Sequence, residues 1–158
     1  LGKKGVRSSI LRIPGIYAPD RPNGTPRERL LKGTPVLLKQ DDVYTNHIHA
    51  DDLARACVAA IWRGQPQRVV NVSDDTHLKM GDYFDQVADA LGLDRPPRLP
   101  RDRVRDMVSP MMWSFMQESR KIRSVRMHRL RFELKYPSVQ TYLDERNRIK
   151  QTSCPYSS

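Results

Sequence analysis

Two hydrophobic rhythms alternate along this chain. The first is short and nearly continuous. Ser8 to Ile13 form a β-rich run that Pro14-Gly15 stops. Its unbroken apolar character predicts a strand buried on both faces, as in a parallel sheet. "VYTNHIH" (Val43 to His49) and "RVVNVS" (Arg68 to Ser73) predict two further strands, rich in β-branched residues. The second rhythm is helical. "PRERLLKG" (Pro26 to Gly33) predicts a short helix with Thr25 as cap, Pro26 in its first turn and Gly33 at its end. Asp51 to Arg63 is the clearest helix, with Leu53, Ala56, Cys57, Ala60 and Ile61 on one face and Gly64 as the stop. Met80 to Leu91 is a second, with Tyr83, Val87, Ala90 and Leu91 on its apolar face.

The later part is less regular. "LDRPPRLPRDR" reads as extended and exposed, and a third helix is expected from about Ser109 into the 120s. "RLRFELKYPSVQTYL" reads as a helix end with a turn at Tyr136-Pro137, and residues 144–158 as a polar, disordered tail. Strands alternating with helices predict an α/β fold.

At 158 residues the chain can bury one real core. A net charge of +10 favours contact with something acidic: nucleic acid, an anionic surface or a phosphorylated ligand. Arginines crowd at 95–105 and again, with two lysines, at 120–135. No helix-turn-helix, zinc-finger or RNA-recognition signature accompanies them, so nucleic-acid contact is expected to be weak and unspecific. No run approaches a membrane span and no signal-peptide pattern opens the chain, so no membrane partner is expected. Cys57 and Cys154 are the only cysteines, which suits a reducing, cytoplasmic setting. The chain starts at Leu1, and a longer product is expected.

"HIHADD" raises the question of a metal. Residues two apart in a strand share a face, so His47 and His49 could supply two ligands, with Asp51 or Asp52 as a third. The pattern is no specific zinc signature. A helix begins here, and Asp51 or Asp52 as its N-cap is the simpler reading. No metal is expected.

At these residues the chain resembles the extended short-chain dehydrogenases, the NAD-dependent epimerase/dehydratase family. "HIHADDLARACVAAI" is similar to the family's strand-to-helix junction, and "ILRIPGIYAPD" to the segment after its catalytic helix. "VVNVSDDTHLKMGDYFDQVADALG" and "SRKIRSVRMHRLRFELKYPSVQTYL" resemble its later segments, in the right order. The glycine-rich turn and the Tyr-x-x-x-Lys pair of the family are absent. Gly2-Lys3-Lys4-Gly5 is no dinucleotide turn, and none of Tyr17, Tyr44, Tyr83, Tyr136 and Tyr142 has Lys four residues on.

The resemblance therefore implies the C-terminal part of a Rossmann-like parallel sheet plus a small mixed α/β substrate domain, over residues 1–143. It implies NAD or NADP in the complete enzyme, with a carbonyl compound or nucleotide sugar as substrate. No catalytic residue and no cofactor are expected for this chain alone. Pro14, Gly15, Ile16 and Tyr17 would form a loop against the nicotinamide. Arg27 and Arg29 could pair with an anionic substrate group, or form a solvated helix face. Met111, Met112, Trp113, Phe115 and Met116 could line a substrate pocket, although such clusters are more often core. The alternatives are a basic nucleic-acid-binding module or a non-catalytic interaction module. With upstream strands missing, Ile10, Leu11, Ile13, Val69, Val70 and Val72 would expose an apolar sheet edge. Self-association, binding of a complementary N-terminal half, or a partly molten, aggregation-prone state would follow.

Overall fold

The computed structural model describes residues 5–21 and 24–152. In chain order its regular elements are β1 (Ile10–Arg12), β2 (Gly15–Tyr17), α1 (Arg27–Leu31), β3 (Val36–Leu37), β4 (His47–His49), α2 (Ala50–Arg63), β5 (Val69–Asn71), α3 (Met80–Leu91), β6 (Arg98–Leu99), α4 (Arg101–Met107), α5 (Pro110–Gln117) and α6 (Val139–Thr152). A 3-10 turn covers Met127–Leu130. The strands pair in parallel: β1 with β5, β2 with β4 and β3 with β6. The chain is thus α/β, as its two rhythms predict. The ladder continues past β5, where Val72 N–H donates to the Arg12 carbonyl and Asp74 N–H to the His47 carbonyl.

Two cores lie on either side of the β2–β4 pair. One joins Ile48, Ala56, Ala59, Val70, Val72 and Leu130 beneath α2. The larger centres on Phe84 and Val87 of α3, with Leu37, Val104, Met116 and Leu143 from the surrounding elements. A charge network ties these elements together. The Arg98 guanidinium meets the carboxylates of Asp42, Asp82 and Asp85 at 3.3, 3.0 and 2.6 Å. Gly81 sits under that network: a Cβ there would come within 2.4 Å of Arg98 Nη1 and 2.8 Å of Asp42 Oδ2.

Several elements differ from the sequence reading. The first strand is shorter and half-exposed, because among the described residues β5 is its one ladder partner. Ile13 is open to solvent, but Val70 and Val72 are buried under α2 and the 3-10 turn, so the bare edge is narrower than predicted. Helix α1 begins without a Thr25 cap. On α2, Cys57, Val58, Ile61 and Trp62 are exposed, and the buried stripe is Asp52, Ala56 and Ala59. The Pro/Arg segment holds β6 and α4 rather than staying extended. The third helix stops at Gln117. The expected disordered tail is helical from Asp144 to Thr152, where α6 runs on through charged residues. Its remainder, with Cys154, lies outside the described residues.

Candidate functional site

The site grows from the β4–α2 junction. Ile48 points into the smaller core, so its neighbours His47 and His49 turn to the opposite face, beside Tyr17. His49 is the N-cap of α2: its Nδ1 accepts the Asp51 N–H at 3.2 Å. The expected carboxylate caps are therefore corrected. Asp51 is exposed, and fully buried Asp52 serves another segment, accepting the backbone N–H groups of Lys135 and Tyr136 at 2.8 Å each. Among the described residues no group of three His, Cys, Asp or Glu side chains could hold a metal ion.

Tyr17 is not the loop residue the sequence suggests. It is buried on β2, and its hydroxyl donates to Asp74 Oδ2 at 3.1 Å. Burial, then the charge of Asp74, raises the Tyr17 pKa far above that of a free phenol, so it keeps its proton at neutral pH. Burial also pushes the Asp74 carboxyl up to about 6, against the hydrogen bonds it accepts from Thr76 and Tyr17. The His47 ring lies on Tyr83 with centroids 4.2 Å apart, and burial followed by the nearby Arg29 cation pushes it down to about 4. At neutral pH His47 is an uncharged imidazole.

Against His47 opens a cavity of about 600 Å³. Ile13 to Ile16 form its rim, and Thr45 to His47 its floor. Met80, Tyr83 and Phe84 of α3 make one wall, Met112, Ser114 and Phe115 of α5 the other. Gly15 permits this arrangement: a Cβ there would press within 3.3 Å of the His47 ring. Arg29 enters from α1. Its guanidinium lies 5.2 Å from the Phe84 ring centre, with Nη1 3.0 Å from Met112 Sδ. Burial lowers its pKa. Arg120 and Glu118, at the outer edge, are paired with each other.

The structure thus brings Pro14, Gly15, Ile16 and Arg29 to one cavity, with Tyr17 behind it. It does not bring Arg27, which lines a separate polar hollow with Asp20, Arg21 and Arg146. Met111 is exposed away from the cavity, and Trp113 packs against the larger core with Arg101 over its ring. Of the expected cluster, Met112 and Phe115 do line the cavity, together with Ser114. A Met-rich helix gives its cavity-facing residues no distinguishing chemistry, so the sequence marks the cluster but not which of its members face the cavity. His47, Tyr83 and Phe84 also line the cavity; the sequence marks His47 as a possible metal ligand and Tyr83 as part of an apolar helix face, and gives Phe84 no signal of its own. In the second basic stretch, Arg126 bonds a β5 carbonyl and Arg129 bonds Gln65, so part of that charge is structural.

No protein-family model matches the sequence, and no curated protein matches it. Solved structures do. A functionally unknown conserved protein from Silicibacter pomeroyi shares 28% identity over 94% of this chain and 50% of its own, with a TM-score of 0.77. A human epimerase family protein, crystallised with NADPH, shares 19% identity over 92% of this chain and 50% of its own, with a TM-score of 0.73. The Thermotoga maritima UDP-glucose 4-epimerase with UDP-glucose shares 18% identity over 94% of this chain and 47% of its own, with a TM-score of 0.67. The chain spans about half the length of the structures it matches, and its fold is a partial Rossmann-like α/β fold like theirs.

Proposed function

We propose that this chain is the C-terminal, substrate-side half of a NAD(P)-dependent epimerase, dehydratase or reductase. The observation that carries the reading is the cavity beside His47, set against the β1–β2 turn in a fold that matches half of such proteins. In the complete enzyme Pro14, Gly15 and Ile16 border the nicotinamide end of the cofactor, and exposed Gly15 leaves room for it. Tyr17 supports that edge from behind, through Asp74. The cofactor supplies hydride chemistry when bound. This chain's residues bind and orient the substrate and shield it from water. The acid–base pair belongs to the complementary half, so the chain alone is inactive and binds no cofactor. Two-stranded parallel ladders are rare in isolation, because parallel sheets need both faces covered. The open side of β1 is the docking edge for the other half.

A fusion tests this. The N-terminal half of the Silicibacter pomeroyi protein is joined ahead of this chain, and NADPH binding is followed by its fluorescence. The expected result is binding that Gly15→Trp weakens by about tenfold or more, since the indole would fill the space left for the nicotinamide. A folded fusion that ignores both NADPH and NADH would overturn the reading.

A further inference from the structure

The cavity holds an unusual electrostatic feature. Among the described residues Arg29 has no carboxylate partner, although it lies within an apolar sleeve of Phe84 and Met112. A desolvated cation without a counter-ion is unfavourable, and arginine's planar fork is built for an oxyanion. The other charges facing the space cancel: Arg120 is paired with Glu118. His47 adds no second positive charge, because burial and Arg29 itself keep it neutral. The remaining walls mix apolar faces from Ile13, Ile16, Met80 and Phe115 with Thr45, Asn46 and Ser114, whose side chains are hydrogen-bonded within the protein.

We propose that the cavity takes a singly charged, largely apolar carboxylate, with its anionic end on Arg29 and its apolar body between α3 and α5. The inference rests on the reading of this cavity as the substrate end of a split enzyme. It departs from nucleotide sugars, whose diphosphate brings at least two negative charges where the cavity offers one unpaired cation. A carboxylate on a guanidinium forms two parallel hydrogen bonds, and an apolar body displaces water from the Phe84 and Phe115 faces.

The test uses this chain, isotope-labelled, in NMR shift titrations with three probes: phenylglyoxylate, its carboxamide, and UDP-glucose. The carboxamide has the shape of the acid without the charge. Phenylglyoxylate is expected to shift the amides of Gly15, Ile16 and Tyr83, and to bind about tenfold more tightly than the amide. Arg29→Gln should erase that preference while leaving the amide's affinity intact, and Arg29→Lys should restore part of it. Equal binding of acid and amide would overturn the anion assignment and leave the site standing. UDP-glucose binding more tightly than phenylglyoxylate at the same amides would replace the proposed class with nucleotide sugars. Silence from all three probes at millimolar concentration, with the spectrum of a folded chain, would sink both the inference and the reading of the cavity as a ligand site.

Discussion

Replacing Asp52 with Ala should remove one of the larger single contributions to this fold. Its carboxylate is fully buried and accepts two backbone N–H groups, from Lys135 and Tyr136, at 2.8 Å each. Hydrogen bonds to a charged acceptor contribute about 1.5–3 kcal/mol each. The Tyr136 N–H is buried and would be left without an acceptor, whereas water can reach the less buried Lys135 N–H. The third partner, Arg55, is half-exposed, and solvent screening makes that pair worth little. The expected loss is therefore about 3–5 kcal/mol, a third or more of a typical domain's net stability. Asp52→Asn keeps one acceptor and turns its NH2 toward the other N–H, so it should cost nearly as much. Urea unfolding followed by circular dichroism measures the loss, and amide exchange at Tyr136 localises it. A loss below about 1 kcal/mol at unchanged m-value would refute the reasoning, because it would mean the two N–H groups find other acceptors.

Two buried groups should give opposing pH dependences. His47 falls from 6.5 to about 4 in the fold, so its contribution is present above pH 6.5 and is lost as pH falls through about 4. Asp74 rises from 3.8 to about 6, so its contribution is present below pH 3.8 and is lost as pH rises through about 6. Each is worth about 3 kcal/mol. His47→Phe should therefore gain stability on acidification from neutral pH, and Asp74→Asn should lose it; parallel melting profiles for the two variants would contradict this. Gly81→Ala should cost about 1–3 kcal/mol, since Arg98 is held by three carboxylates and cannot yield to a Cβ without breaking one of those contacts. Chemical denaturation measures it, and a neutral result would show that the network relaxes freely. His49→Ala should lower stability by about 1 kcal/mol through the lost cap, with lost ring packing on Tyr136 adding to it, while stoichiometric zinc leaves the melting temperature of the unchanged chain where it is.

Helices α2 and α3 are legible in the sequence because each carries an apolar stripe at helical spacing and ends at a glycine. The existence of β1, β4 and β5 is legible for the same kind of reason. What covers each face is not. On α2 Leu53, Ala56 and Ala60 meet the core as the pattern predicts, but Cys57 and Ile61 do not, and Asp52, polar in any pattern, is buried by two N–H groups more than eighty positions later. The cap was given to the aspartates because a carboxylate is the usual acceptor, and nothing local marks the His49 imidazole as the one that turns inward. Gly15 and Arg29 were named from resemblance and from charge. Their meeting with His47, Phe84 and Met112 depends on chain segments with no mutual spacing signal.

The bonds from Asp52 to the Lys135 and Tyr136 amides carry a consequence for synthesis. The two ends of the Tyr136 contact are 84 residues apart in sequence. A ribosome adding about 5–20 residues per second needs about 4–17 s to cover that stretch. Through that interval the α2 carboxylate lacks its two N–H partners, and the His49 ring has no Tyr136 to pack on. The β4–α2 junction, among the most ordered-looking stretches in the sequence, is therefore one of the last places in the nascent chain to close.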